Sequence, residues 1–125
     1  MRRSRILIVD DEPGLVRIMT LMLTNLERYE VSSVLDATLA LKAVQKFKPH
    51  LVLLDLVMPK LSGGDVARQI REDPHVRNTP ILFLSAIVKE SEPEVCGYPA
   101  ICKPIGIDAL VEAIEEQLSK AGAIS

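Results

Sequence analysis

Runs of consecutive apolar residues dominate the hydrophobic pattern of the chain, with the longest at residues 6–9, 51–54 and 81–84. A strand that is apolar on both faces is typical of a parallel sheet covered by helices. A strand with one solvated face instead shows alternating apolar and polar residues. Two weaker runs complete the set of strands. The five predicted strands are residues 5–9, 29–35, 51–55, 80–84 and 100–102.

Between the strands, apolar residues recur at intervals of three and four, which places them on one face of an α-helix. The first helix is predicted from Pro13 to about residue 27. Asp36 is a candidate cap of the second helix, and Ser62 with Asp65 has the spacing of a capping box that begins the third. The residues predicted to face the core are Leu15, Ile18, Met19, Met22, Leu23 and Leu26; Ala37, Ala40, Leu41, Val44 and Phe47; Val66, Ala67 and Ile70; and, in the last helix, Leu110, Val111, Ile114 and Leu118.

Strands that alternate with helices predict an α/β protein with a parallel sheet. Right-handed crossovers leave few arrangements of five strands. We therefore expect a flavodoxin-like three-layer fold, with a five-stranded parallel sheet in the order 2-1-3-4-5. A length of 125 residues fits a single domain, 1–125, with an ordered core over about 5–120 and short tails at both ends.

Composition and charge exclude several classes of function. The sequence is 48% apolar with a net charge of −2, so neither a disordered chain nor a polyanion-binding protein is indicated. No apolar run is long enough to span a membrane, and the acids after residue 9 argue against a signal peptide. Cys96 and Cys102 lack metal-ligand spacing, so we expect free thiols in a cytoplasmic protein.

Polar residues follow three of the strands at the same end. Asp10 and Asp11 follow the first strand, Asp55 ends the third and Ser85 follows the fourth. In the expected strand order the first and third strands are neighbours, so the three carboxylates should meet at the carboxyl edge of the sheet. Like charges at that spacing repel, and a hard cation such as Mg²⁺ would neutralise them. An aspartate in such a site can accept a phosphoryl group, with Lys103, which follows the fifth strand, as a cation and Ser85 as a hydroxyl donor.

Four sequence motifs recur in this order and spacing in a known family. They are residues 8–13 (Ile-Val-Asp-Asp-Glu-Pro), residues 54–59 (Leu-Asp-Leu-Val-Met-Pro) with Gly63, residues 84–86 (Leu-Ser-Ala) and the pair Lys103-Pro104. With these motifs the chain resembles the receiver domains of two-component response regulators, and the resemblance covers nearly the whole sequence. Each motif is weak alone, and their order makes the resemblance specific.

The resemblance implies a role for each matching residue. Asp55 would accept a phosphoryl group from a phosphohistidine, and Mg²⁺ would be held by Asp10, partly through water, by Asp11, by Asp55 and by the backbone carbonyl of Val57. Lys103, the amide of Ala86 and the hydroxyl of Ser85 would contact the phosphoryl oxygens. Lys103-Pro104 resembles the family's cis peptide.

The segment between Ser85 and Lys103 departs from the family pattern. It is shorter than usual, contains prolines and a glycine, and lacks an apolar helical stripe, so we expect the fourth helix to be short or irregular. The family's aromatic switch position is occupied by Ala100, with Tyr98 nearby as a possible substitute. Val57 and Ile87 are apolar at positions that flank the hydrolytic water in this family, which predicts slow dephosphorylation.

The implied function is a phosphoacceptor signalling module rather than an enzyme that acts on other molecules. Its partners would be a sensor histidine kinase or phosphotransfer protein and a downstream protein, with no direct contact to nucleic acid or membrane, and it would be a monomer or weak homodimer. One alternative is a receiver-like interaction module that is not phosphorylated. A third hypothesis is a phosphatase of the haloacid dehalogenase type with an aspartyl nucleophile on the first strand. It fits less well, because the consecutive run Asp10-Asp11-Glu12 matches poorly the pair of acids two residues apart that such enzymes use, and the sequence has no cap insertion.

Overall fold

The structure is a computed structural model that describes residues 3–86, 94–103 and 106–122. Ile87 and Pro104, which carry the predictions on hydrolysis and on a cis peptide bond, lie outside these ranges. Within them, the chain forms one sheet flanked by helices. Its strands are β1 (Ser4–Val9), β2 (Tyr29–Val34), β3 (Leu51–Asp55), β4 (Ile81–Ser85), β5 (Glu94–Val95) and β6 (Tyr98–Cys102).

The sheet has the strand order β2-β1-β3-β4-β6-β5. All neighbouring strands pair in parallel except β5, which is antiparallel to β6 at the edge. The predicted order 2-1-3-4-5 is therefore confirmed for the parallel strands, with β6 in the fifth place. The predicted count of five strands was wrong, because β5 spans only two residues and has no apolar run to reveal it.

A tight hairpin joins β5 to β6. Its loop residues Cys96 and Gly97 both have positive φ, 54° and 83°, and the flanking Val95 and Tyr98 pair with each other. Two successive left-handed residues are typical of a type I′ turn, whose twist matches that of paired strands. The last part of the segment expected to hold a short or irregular fourth helix is thus a hairpin, while residues 87–93 lie outside the described ranges.

Both predicted capping residues form caps, but Asp36 caps a 3₁₀ turn rather than the second helix itself, whose own N-cap, Leu39, makes no side-chain hydrogen bond. The Asp36 carboxylate accepts a hydrogen bond from the Thr38 amide at 2.9 Å, and Ser62 and Asp65 form a reciprocal capping box. These bonds satisfy amides that the first helical turn leaves without partners. The helices are α1 (Pro13–Asn25), α2 (Ala40–Phe47), α3 (Gly63–Glu72) and α4 (Ile107–Lys120), and a 3₁₀ turn (Ala37–Leu39) precedes α2.

Helix α1 corrects part of the predicted core. It ends at Asn25 rather than near residue 27. Ile18 and Leu26 are 54% and 42% exposed, whereas Val16, which was not predicted, is buried. The cause is that α1 carries apolar residues around most of its circumference, so that periodicity alone does not identify the face that meets the sheet.

Two apolar layers cover the faces of the sheet. One packs α2 and α3 against residues such as Leu54 and Phe83, and the other packs α1 and α4 against residues such as Leu53 and Leu84. Adjacent residues of one strand thus enter opposite layers, as the alternation of side chains in a strand requires. In the ranges that the structure describes, no helix is long and apolar enough to cross a bilayer. Both cysteines are free.

Candidate functional site

Three carboxylates, those of Asp10, Asp11 and Asp55, converge at the carboxyl edge of the sheet. Strands β1 and β3 are parallel neighbours with Val9 paired to Leu54, so the residues that follow leave the sheet side by side. One oxygen of each carboxylate lies within 4.8 Å of the others. Asp10 and Asp55 are buried, and Asp11 is half-buried. The structure thus brings together the three acids that the sequence placed at this edge.

Lys103 points its ammonium group into this acid cluster. Its Nζ donates a hydrogen bond to Oδ2 of Asp10 at 2.6 Å and lies 3.7 Å from Oδ1 of Asp55. Glu12 is a third acidic neighbour, with its Oε1 3.6 Å from Nζ. The backbone amide of Lys103 donates to the carbonyl of Ser85 at 3.0 Å, which extends the pairing of β6 with β4 up to the site. Because the side chain is only 12% exposed, water screens these charges weakly.

The surroundings shift the pKa of both Asp55 and Lys103. Burial, reinforced by repulsion from Asp10, raises the pKa of the Asp55 carboxyl above its ordinary value of 3.8, and attraction to Lys103 only partly opposes this rise. Burial by itself lowers the pKa of the Lys103 ammonium, but its hydrogen bond to Asp10 and the surrounding negative charges leave that pKa above its ordinary value of 10.5. The cluster therefore holds the lysine charged and favours added positive charge near Asp55.

The remaining predicted site residues lie around Asp55. Leu84 pairs with Asp55 across β3 and β4, so Ser85, the last residue of β4, and Ala86 follow at the same edge of the sheet as that carboxylate. Ser85 is 2% exposed, whereas Ala86 lies at the surface. On the other side, the amide of Val57 donates to Oδ1 of Asp55 at 3.5 Å, and the Val57 side chain is 58% exposed.

Gly63 fixes the backbone that follows the central strand. Its amide donates to the carbonyl of Leu56 at 2.7 Å. A Cβ atom at this position would lie 2.2 Å from the carbonyl oxygen of Asp55 and 2.8 Å from Cα of Leu56. Helix α3 can therefore begin this close to the site only because residue 63 has no side chain.

Three residues near the acid cluster were not predicted as site residues from the sequence. Glu12 approaches Lys103, and its amide also donates to Oδ1 of Asp10 at 3.0 Å. Lys60 and Asp36, on two different loops, form an ion pair of 3.6 Å beside Asp11. The acidic run at residues 10–12 could have indicated Glu12. No local pattern indicates that Lys60 reaches Asp36, because the two residues belong to different segments.

The donor atoms of the acid cluster suit a hard divalent cation. They are all carboxylate oxygens, which Mg²⁺ and Ca²⁺ prefer, rather than the nitrogen or sulfur ligands that favour zinc or copper. The negative charge of Asp10, Asp11 and Asp55 exceeds the single positive charge of Lys103, so a cation would relieve repulsion. Across the described ranges, no other three His, Cys, Asp or Glu side chains converge in this way.

Tyr98, the tyrosine two residues before the family's switch position, packs against the sheet and α3. Ala100 occupies that position and pairs with Phe83 across β6 and β4. The ring of Tyr98 packs edge-on against Phe83 with centroids 6.1 Å apart. The guanidinium of Arg71, on α3, lies 5.8 Å from the centroid of the Tyr98 ring. Tyr98 therefore anchors the β5–β6 hairpin to α3 and to the sheet.

Comparisons with known sequences identify a family. Residues 6–115 match the family described as response regulator receiver domain. MtrA of Mycolicibacterium smegmatis, a DNA-binding response regulator, is 43% identical over 84 residues, which are 67% of this chain and 35% of MtrA. The response regulator PleD of Caulobacter vibrioides is 38% identical over 84 residues, which are 67% of this chain and 18% of PleD. The matched region thus spans about a third or less of these relatives.

Solved structures agree with this match. The N-terminal domain of a response regulator receiver protein from Methanoculleus marisnigri is 34% identical, with a TM-score of 0.71 and coverage of 90% of this chain and 94% of that one. The receiver domain of the sensor histidine kinase PA1611 from Pseudomonas aeruginosa, with magnesium in its active-site cleft, is 25% identical, with a TM-score of 0.82 and coverage of 94% and 99%. Chemotaxis protein CheY4 of Vibrio cholerae, at 22% identity and a TM-score of 0.83 over 93% and 99%, shares the fold.

Proposed function

The chain belongs to the response regulator receiver domain family, the phosphoacceptor modules of two-component signalling, and from this premise we propose that Asp55 is its phosphoacceptor. The observation that carries the proposal is the position of Asp55. Its carboxylate ends the central strand, faces Lys103 and shares an edge with Asp10 and Asp11. Its side chain is 7% exposed, so that the carboxylate is largely buried but not closed off from solvent.

In the proposed reaction, a carboxylate oxygen of Asp55 attacks the phosphorus atom of the donor. The bond from phosphorus to the donor's leaving atom breaks, and the leaving group departs with the electron pair, which yields an acyl phosphate on Asp55. Lys103 is already within 3.7 Å and would pair with a phosphoryl oxygen. The hydroxyl of Ser85 and the amide of Ala86 would donate hydrogen bonds to the same group.

A divalent cation fits this arrangement. We assign its ligands to Asp10, Asp11 and Asp55, together with the backbone carbonyl of Val57. The choice of Mg²⁺ draws support from the oxygen donor set and from the magnesium ion in the related PA1611 receiver domain. When bound, Mg²⁺ would supply positive charge to the phosphoryl oxygens. Asp10 also accepts a hydrogen bond from Lys103. Asp10 would therefore link the bound Mg²⁺ to the Lys103 ammonium group.

The proposed donor is a phosphohistidine on a sensor histidine kinase or phosphotransfer protein. The proposed output is a protein contact that changes when the state of Asp55 changes. One observation favours a second candidate, an interaction module that is not phosphorylated. Ala100 stands at the aromatic switch position, and a β5–β6 hairpin occupies part of the segment where the family has a helix. The two candidates differ in whether Asp55 reacts.

Labelling with acetyl phosphate tests the proposal. The protein with Mg²⁺ and acetyl phosphate should gain the mass of one phosphoryl group, as read by intact mass spectrometry, and a chelator should prevent the gain. Asp55→Asn should abolish it. Asp108→Asn, which changes an exposed aspartate in the first turn of α4, is the matched control and should label normally. Absence of labelling in the wild-type protein, or equal labelling of Asp55→Asn, would overturn the proposal.

A further inference from the structure

Lys60 occupies a strained backbone conformation next to the acid cluster. Its φ is 72°, and across it the amide of Leu61 donates to the carbonyl of Pro59 at 2.8 Å. A hydrogen bond between two residues that flank a central residue with positive φ is typical of the classic γ-turn. This turn is rare and strained in proteins. Residues with a side chain adopt this region uncommonly, and such strain occurs preferentially at functional sites.

The side chain of Lys60 crosses from its loop to the loop that follows β2. Its Nζ lies 3.6 Å from Oδ2 of Asp36, and both side chains are partly exposed. Between them lies a cavity of about 260 Å³, lined by the two paired residues, by Leu35, Ala37 and Pro59, and by the acid Asp11. The ion pair therefore lines a surface pocket that also includes Asp11, one member of the acid cluster.

The charges around this pocket indicate a role for Lys60. A phosphodonor is an anion, and the carboxylates of Asp11 and its neighbours repel it. Lys103 is already engaged by Asp10 and lies deeper in the cleft. Of the lysines and arginines in the described ranges, Lys60 is the one that lines the cavity beside Asp11. An exposed pair such as Lys60–Asp36 is worth little, so exchanging Asp36 for an incoming anion costs little.

We propose that Lys60 positions small anionic phosphodonors of the acyl phosphate class, by exchanging its ion pair with Asp36 for one with the donor. This inference rests on the proposed function, because it concerns donor binding before transfer to Asp55. The transfer itself is unchanged. An oxygen of Asp55 attacks phosphorus, the phosphorus–oxygen bond to the acetyl group breaks, and acetate leaves with the electron pair. Lys60 is thus a positioning residue that affects donor affinity rather than the chemical step.

The test measures the initial rate of labelling against acetyl phosphate concentration at fixed Mg²⁺. Lys60→Gln should raise the donor concentration for half-maximal rate about two- to fivefold, as expected for loss of one exposed charge contact, with little change in maximal rate. Lys60→Arg should restore it. Asp36→Asn keeps the capping oxygen but removes the competing charge, so it should lower that concentration. The double variant Asp36→Asn/Lys60→Gln should behave like Lys60→Gln, because Asp36 acts only through Lys60.

The matched control is Lys120→Gln, which removes one charge from an exposed lysine paired with Glu116 at 3.1 Å on α4. A shift as large in this control as in Lys60→Gln would mean that only net charge matters and would overturn the inference. The inference also fails if Lys60→Gln alters maximal rate alone, or if Asp36→Asn lowers the half-maximal concentration in the Lys60→Gln background too. Failure of the proposed function is distinct, since then the wild-type protein would not be labelled at all.

Discussion

Replacing Gly63 with alanine tests how closely the first turn of helix α3 packs against β3, the strand that ends at Asp55. The new Cβ would lie 2.2 Å from the carbonyl oxygen of Asp55 and 3.0 Å from its carbonyl carbon, and 2.8 Å from Cα of Leu56. All three atoms belong to the backbone, so no rotation of a side chain relieves the contacts. The segment after β3, or the first turn of α3, must move by roughly 1 Å.

The cost follows from two opposing effects. Overpacking typically costs about 1–3 kcal/mol, and backbone contacts place Gly63→Ala toward the upper part of that range. Alanine recovers up to about 1 kcal/mol through its higher helix propensity. We therefore expect Gly63→Ala to lower the free energy of unfolding by about 1–2 kcal/mol. The displaced Asp55 should also be labelled more slowly by acetyl phosphate.

Gly64 offers a control one residue further along the same helix. A Cβ there would lie 3.6 Å from Oγ of Ser62 and 3.8 Å from Sγ of Cys96, which are ordinary contacts. Gly64→Ala should therefore be neutral or stabilising, and it should be labelled at the wild-type rate. Urea unfolding followed by far-ultraviolet circular dichroism gives the free energies of both variants. Equal stability and labelling of the two variants would refute the role assigned to Gly63.

Further predictions concern charge, pH and lifetime. Lys103→Gln leaves buried carboxylates without their cation and should lower the free energy of unfolding by about 3 kcal/mol at neutral pH. Mg²⁺ should raise the melting temperature of this variant more than that of the wild type. Equal increases in melting temperature for the two proteins would contradict this prediction. Burial, reinforced by a hydrogen bond to Glu115, raises the pKa of Tyr29 from 10.0 to about 12. The unfolded chain therefore loses this proton first, and stability should fall as pH rises from 10 toward 12; urea unfolding of Tyr29→Phe in that range should show a smaller fall, and an equal fall would exclude Tyr29 as its cause. Val57→Asn places a polar group at an exposed position beside Asp55 and should speed decay of the phosphoprotein; an unchanged half-life would count against the predicted role of Val57.

Local patterns predicted most of the framework. The continuous apolar runs of β1, β3 and β4 identified strands buried on both faces, because only a sheet covered by helices buries such runs. Ser62 identified the start of α3, and Asp36 identified the 3₁₀ turn that leads into α2, because their side chains cap amides within the next few residues. These signals involve neighbours in sequence, and the structure agrees with them. Strand β5 was not predicted, because a strand of two residues is too short to show a recognisable hydrophobic pattern.

The sequence by itself determined that acids lie at the carboxyl ends of the first and third strands, and that parallel strands bring these ends to one edge of the sheet. Only the tertiary structure decided which face of α1 meets the sheet, that Lys103 pairs with Asp10 more closely than with Asp55, and that Lys60 reaches Asp36. The physical reason is the separation along the sequence of the residues that interact. Strand pairing and helix capping depend on a few adjacent residues, whereas the distance between two charged atoms on separate loops depends on how the whole core packs.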